Sequence, residues 1–351
     1  MIEIIRNKKD FINIASEWNK LARTFENPLM RHEWFVSCVE AFYNEEDIRV
    51  IVLYSHDNIA AIAPLVLARK NLIKYLELFG ITFLFEPCSL LYEDKASLFL
   101  LLAEIVKLKL PFYFKRTPAN PSISASLKKL TKYRGIFVER TTSSSAYVSV
   151  NSNWEEYLNS FSSKRRYEFR LKRRRSEQYG NVQIKIFCPK PEELDSYMDL
   201  AYQIEAESWK GRKRSALLYN QKLKKFFRIY TELACKEKTL RLCFFYINEK
   251  AVAVIIGLEY ANRFWVLKIG YNEKWAQCSP GMQLTLETIR YAFSNGLKSY
   301  EFLGSDDLWK HDWANKWDSN VSLGFYPFSI PGLSKLTADI SKYAFRKIKE
   351  F

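Results

Sequence analysis

The stretch from Phe264 to Ser294, FWVLKIGYNEKWAQCSPGMQLTLETIRYAFS, decides how the second half of this chain folds. Its opening, Phe264 to Tyr271, is rich in aromatic and β-branched residues and predicts a strand. The polar loop that follows carries Ser279-Pro280-Gly281. Beyond it Met282, Leu286, Ile289 and Phe293 recur at helical spacing, Ser279-Pro280 is a favourable start and Gly296 a favourable stop, so a helix is predicted over 282–294. A helix start presents unpaired backbone N–H groups and a partial positive charge, and a glycine there lets a ligand approach the backbone. The strand-loop-helix can hold a pyrophosphate, or it is an ordinary turn before a capped helix.

Working outward, a further strand is predicted over 299–303. On the N-terminal side RLCFFYINEKAVAVIIGLEYAN (Arg241 to Asn262) reads as strand, turn, strand. Upstream lie an Arg- and Lys-rich helix (162–179) ending at Gly180, a strand (182–187), and a helix opening after Pro189 and Pro191. The first half repeats one part of this. RVIVLYSHDNIAAIAPLVLARK (Arg49 to Lys70) aligns without a gap on Arg241 to Asn262, which suggests an internal duplication. The Ser-rich stretch 141–153 is the natural divide, giving domains 1–145 and 146–330 and a basic amphipathic helix over 331–351. That tail, with Leu333, Leu336, Ile340 and Tyr343 among lysines and arginines, either docks on its own domain or rests on a membrane surface.

Composition bounds the function. A chain of 351 residues with 48% hydrophobic and 16% aromatic content has material for two cores. The longest apolar run, Leu98 to Val106, falls short of the roughly 18 residues a membrane span requires. Arg6, Lys8, Lys9 and Asp10 stand where a secretory signal needs apolar residues, so a cytoplasmic location is expected. The six cysteines form no C-x-x-C pair and there are three histidines, so neither a structural metal nor a disulfide framework is expected. A net charge of +15 favours polyanionic company: nucleotide phosphates, nucleic acid, acidic glycans or anionic headgroups.

Four motifs in order, FSSKRRYEFRLKRRRSEQYG (161–180), ESWKGRKRSALL (207–218), SPGMQL (279–284) and YEFLGSDDLWKHDWA (300–314), resemble the CelD/BcsL-type acetyltransferases of the GNAT superfamily, named for a link to cellulose biosynthesis and similar to the Fem-type aminoacyl transferases. NPLMRHEWF (27–35) and Ala63-Pro64-Leu65 extend the likeness into the first half. The resemblance implies an α/β (α+β) fold of tandem GNAT-like domains, each a mixed, largely antiparallel central sheet flanked by helices. The first would be a degenerate acceptor-side domain and the second an acyltransferase using acetyl-CoA or another acyl-CoA. In such enzymes a splayed strand pair exposes backbone N–H groups to the thioester carbonyl while the next helix start holds the pyrophosphate. The matching residues here are Lys268, Ile269, Gly270 and Tyr271, then Gln277, Ser279, Gly281, Met282 and Gln283.

For a general base Glu207 leads, a carboxylate beside an aromatic and a flexible turn; alternatively it pairs with Lys210 or Arg212. Asp306 and Asp307, at a strand end, are further catalytic candidates, and Tyr271 or Tyr300 would supply an acid, since an indole at position 309 cannot. Trp209, Lys210, Trp309 and Lys310 are candidates for substrate contact. Trp309, Trp313 and Trp317 either stack on a sugar or adenine or form one buried helix face, the latter being the commoner use of such spacing. The resemblance points to an acceptor amine or hydroxyl on a small molecule, glycan or lipid-linked envelope precursor, attacked directly in a ternary complex. The rivals are a Fem-like transferase using aminoacyl-tRNA, which the basic run 164–175 would suit, and a non-catalytic binding module.

Overall fold

The structure, a computed structural model, describes residues 1–349 except Asp57 and Asn71, and their side chains except those of Lys70, Trp209 and residues 342–349. The chain separates into two compact units, Met1–Ser144 with Asp318–Phe351, and Ser145–Trp317. The sequence suggested a second domain running to 330 and a separate tail over 331–351. Instead, residues from 318 onward belong with the first unit, because a strand and the last helix are built into it.

In the first unit the strands are β1 (Ile2–Ile5), β2 (Val50–Ser55), β3 (Asn58–Ala63), β4 (Leu65–Lys70), β5 (Ile73–Leu78), β6 (Leu91–Tyr92), β7 (Phe112–Pro118) and the first part of β8 (Gly135–Ser149). One sheet has the order β1-β2-β3-β6, and β4, β5 and β7 lie in another, where the late strand β14 (Lys316–Pro327), numbered here ahead of β9 to β13, stands between β7 and β8. The core gathers Phe11, Trp18, His32, Phe35 and Phe79, with the Trp18 indole donating to the Met30 carbonyl at 2.9 Å.

The buried His32 imidazole lies 2.9 Å from the Phe11 carbonyl through Nε2, which must therefore carry the proton. Burial pulls its pKa below the ordinary 6.5, outweighing the bond to Phe11 and the charge of Glu33. Below about pH 6.5 the unfolded chain takes up a proton that the folded one resists, so stability falls as pH drops, by up to about 1.4 kcal/mol per pH unit. Thermal unfolding from pH 7 to pH 5 is expected to show a smaller loss for His32→Gln, which keeps an N–H donor but does not titrate.

The second unit carries the end of β8, then β9 (Val182–Phe187), β10 (Leu240–Ile247), β11 (Lys250–Tyr260), β12 (Arg263–Tyr271) and β13 (Ser299–Glu301). Their order is β8-β13-β12-β11-β10-β9; the pairs are antiparallel except β12 with β13. The strands predicted over 182–187, 241–262 and 264–271 are all present. Asn248 and Glu249 both have positive φ, which closes β10 and β11 as a two-residue hairpin. The sheet's core includes Phe245, Ile255, Phe264, Leu284, Ile289 and Tyr300, flanked by the helices Ser163–Gln178 and Pro280–Ser294.

The suspected duplication has a structural counterpart. In the β2–β3 hairpin the register shifts between Leu53 and Tyr54, and in β10–β11 between Phe245 and Tyr246, the same step of the gapless alignment. The repeats then part. Pro64, which has no N–H to give a ladder, ends β3 and separates it from β4, whereas β11 runs unbroken through the aligned Ile256.

Candidate functional site

Strand β12 parts from its neighbour midway. Its parallel pairing with β13 covers Arg263 to Trp265 against Ser299 to Glu301. Along the other edge, the partner of Gly257 is Val266 and that of Ile256 is Lys268, so Leu267 is an extra residue, a bulge that bends the strand. Asn272 N donates to Val252 O at 2.8 Å, and the alternation of an antiparallel ladder then assigns Gly270 and Lys268 to β11. Ile269 and Tyr271 turn their N–H and C=O groups to the open edge. Of the expected backbone set, Ile269 and Tyr271 present amides, while Lys268 and Gly270 are committed to the ladder and the Lys268 ammonium sits over the Phe227 ring.

The loop then delivers a helix start beside this edge. Asn272 Oδ1 accepts from Lys274 N, a short 3-10 helix spans Glu273–Cys278, and Ser279 adopts left-handed geometry with φ 47°. The helix opens at Pro280, two residues before the predicted Met282, with proline at its first position. Ser279 does not cap it; its hydroxyl turns back toward Ala276 O at 3.4 Å. With Gln283 N bonded to Ser279 O, the amides of Gly281 and Met282 receive no side-chain cap.

Other members of the expected pyrophosphate set hold the loop in place. A Cβ on Gly281 would lie 3.2 Å from Tyr271 Cδ1, so the room its missing side chain leaves is taken by the Tyr271 ring. Gln283 is buried, and its Nε2 donates to Lys172 O, Ser176 Oγ and Cys278 O at 3.2, 2.8 and 2.7 Å. It is a strut between the arginine-rich helix and the loop, not a ligand group. The exposed Gln277 reaches the Tyr179 hydroxyl, and its carbonyl accepts from Lys172 Nζ. Met282 packs on the core.

Helix Leu194–Ala206 brings two carboxylates to the far end of β12. Glu207, at its C-cap, is exposed; its Oε2 accepts from Asn272 Nδ2 and its carbonyl from Glu273 N. The alternative partners expected for it are engaged elsewhere, Arg212 with Glu273 and Lys210 with Glu205. Glu205 is buried, one oxygen 3.1 Å from Lys210 Nζ and the other accepting from Leu217 N at 2.7 Å. Lys210 Nζ also donates to Ile269 O at 2.8 Å, on the open edge of β12. The helix approaches so closely that a Cβ on Gly270 would stand 2.8 Å from Glu205 Cα, which is why glycine is required there. Sequence reasoning missed Glu205. The signal was present: Leu194, Met198, Ala201 and Glu205 follow one helical stripe, and an acid on a buried stripe calls for a buried partner. The Trp209 side chain lies outside the described residues.

The motif after β13 is mostly internal. The buried Lys310 ammonium donates to Leu303 O at 2.6 Å and to Ser305 O, and lies 3.3 Å from Asp307 Oδ2, tying down a turn in which Leu303 and Gly304 both have positive φ. Lys310 and Asp307 thus shape the loop, and Asp306 bonds His311 Nε2 at 2.8 Å. The three tryptophans do not form one buried face. Trp313 is buried, stacked on Phe169 with Arg165 over its ring, whereas Trp309 and Trp317 are partly exposed, because the helix is only Leu308–His311. Tyr300 is fully buried, bonded to the Thr288 hydroxyl and stacked on Phe264, and burial pushes its phenol far up. Tyr271 is therefore the tyrosine at the open edge.

The arginine-rich helix divides its charge. Arg165 pairs with Glu168 and Asp312, Arg166 with Asn159, Lys172 with the Gln277 carbonyl and Arg173 with Glu177. Lys164, Arg170, Arg174 and Arg175 are exposed.

Residues 163–311, which hold both the splayed strand and the uncapped helix start, match the family described as Acetyltransferase (GNAT) domain. The chain carries a GNAT-type acetyltransferase domain. The enzyme class this assigns is acyltransferase. Solved structures place the GNAT domain within a tandem GNAT-like fold. FemX is similar with a TM-score of 0.60 at 13% identity, covering 91% of this chain and 98% of that one. The C-terminal domain of a putative lysylphosphatidylglycerol synthetase from Agrobacterium fabrum gives 0.58 at 9%, covering 94% and 96%. The L-PGS structure from Bacillus licheniformis gives 0.53 at 12%, covering 96% and 97%. At these identities the likeness is one of fold. No curated protein matches the sequence. Among the described residues no group of three or more His, Cys, Asp and Glu is placed to hold a metal ion.

Proposed function

We propose that the GNAT domain transfers an acyl group, acetyl in the simplest case, from coenzyme A to an amine or hydroxyl of a carbohydrate or other envelope-precursor acceptor. The observation that carries this reading is the juxtaposition, in one strand-loop-helix, of the open β12 edge and a helix start without a side-chain cap. An acyl-coenzyme A bound there supplies a thioester carbonyl for attack. The Ile269 and Tyr271 N–H groups are oriented to donate to that carbonyl oxygen, and the Gly281 and Met282 N–H groups to an anion at the helix start. Glu207, held by Asn272 at the end of the same strand, takes the proton lost by the attacking amine or hydroxyl. The Tyr271 hydroxyl is the group that returns a proton to the leaving sulphur. The finer kinship with CelD/BcsL-type enzymes, and with it the carbohydrate acceptor, rests on the four motifs and their order.

Calorimetric titration with acetyl-CoA and coenzyme A tests the donor site, with Ser279→Asp as the variant. A carboxylate at the N-cap stabilises a helix start by roughly 0.5–1 kcal/mol and competes with a bound anion for the same amides. The expected result is an unchanged or raised melting temperature together with donor affinity lowered at least about tenfold. Equal affinity in both proteins would move the pyrophosphate away from this helix.

A second reading is favoured by the exposed Lys164, Arg170, Arg174 and Arg175: an aminoacyl-tRNA donor, as in a Fem-like transferase. It requires tRNA binding with a steep salt dependence and no coenzyme A binding.

A further inference from the structure

The last helix is built inside out. From Ile330 to Ser341 its only charged residues are Lys335 and Asp339. Both face the first unit: they pair with each other, Lys335 is buried over the rings of Tyr75 and Tyr113 at 4.5 and 5.5 Å, and Asp339 accepts from the Tyr326 hydroxyl at 3.0 Å. The outward face carries Ile330, 84% exposed, with Leu333 and Ile340, also exposed, and between them Ser334, Thr337 and Ser341. Thr337 folds its hydroxyl back onto Leu333 O. A surface helix ordinarily turns apolar residues inward and charges outward; here the sides are exchanged. Of the stripe predicted for this tail, which was to dock on its own domain or rest on a membrane surface, Leu333 and Ile340 are exposed and Leu336 is half-buried.

The apolar strip continues beyond the helix. Phe328, 64% exposed, donates its N–H to Arg134 O at 3.0 Å, which places it against the turn that carries Lys132, Tyr133 and Arg134. Tyr133 is 82% exposed with Lys132 over its ring, and Lys129 and Arg134 are exposed too. The sequence beyond the strip adds Lys342, Arg346, Lys347 and Lys349.

We propose that this face, formed by Phe328, Ile330, Leu333 and Ile340 and rimmed by Lys132 and Arg134, docks on an anionic lipid bilayer. Apolar side chains beside cations and an interfacial tyrosine suit the boundary between headgroups and acyl chains, where each cation near an anionic surface contributes about 1 kcal/mol. A second copy of the chain is a poorer occupant. Pairing would oppose like-charged rims on molecules that each carry +15. Among the described residues no helix is long and apolar enough to cross a membrane, so this contact is with its surface.

Co-sedimentation of the full chain with phosphatidylcholine vesicles, with and without phosphatidylglycerol, tests the proposal. The wild type is expected to pellet with the phosphatidylglycerol vesicles, at least tenfold less with phosphatidylcholine alone, and less as salt rises. Ile330→Ser with Leu333→Ser, which removes only outward groups, and Lys132→Glu with Arg134→Glu should each lower binding at least tenfold without changing the melting temperature. Wild type left in the supernatant, or serine variants that bind as well as wild type, would overturn it. So would a concentration-dependent dimer, seen by analytical ultracentrifugation, that the serine variants dissolve.

Discussion

Replacing Lys210 by alanine is expected to lower the free energy of unfolding by about 3 kcal/mol, since removing one partner of a buried ion pair strands the other charge. Glu205 is buried to the backbone, and apart from the Leu217 N–H the Lys210 ammonium is the group that holds its charge. The same ammonium fastens the end of helix Leu194–Ala206 to Ile269 O, so the loss loosens the open edge of β12 as well as the helix. Urea unfolding followed by tryptophan fluorescence measures the change. The double variant Lys210→Met with Glu205→Gln should recover part of it by removing the stranded charge. A Lys210→Ala protein as stable as wild type would show that Glu205 finds water or another donor.

Converting Glu207 to glutamine should reduce turnover by about 10²-fold while leaving donor affinity within about twofold, because a positioned general base contributes on the order of 10²–10⁴. The side chain is exposed and its contact with Asn272 can be made equally by an amide, so the fold should be unaffected. Steady-state kinetics on an acceptor found by screening, with calorimetry for the donor, separates the two quantities. Full turnover in Glu207→Gln would leave proton removal to water or to the acceptor itself.

Local signals carried most of the fold into the sequence. The hairpin at 240–260 follows from its runs of apolar and β-branched residues and its turn, and the helix 280–294 from one periodic stripe and a proline. Other features depend on what packs against a residue, which spacing alone does not contain. The stripe of tryptophans at 309, 313 and 317 failed because the helix lasts only to His311. Arg165 and Lys172 belong to the basic run expected to bind an anion, yet each is engaged by a partner more than a hundred positions away, Asp312 and Gln277. Within the site, the sequence offered Lys268 to Tyr271 as exposed strand backbone, and of these Ile269 and Tyr271 face the open edge. Which amides face outward required the register with β11, and the close approach of Glu205 to Gly270 required the packing of its helix on β12.

The insertion of β14 between β7 and β8 sets an order on biosynthesis. A ribosome completes the residues of the second unit, Ser145–Trp317, while the first, begun earlier, still lacks a strand and its final helix. Until residues 318–327 emerge, β7 and β8 each wait with an unpaired edge, the kind of surface that recruits chaperones or strays into aggregation. A nascent chain stalled before Asp318 should therefore hold a protease-resistant second unit and a vulnerable first one, the reverse of the order in which they were made.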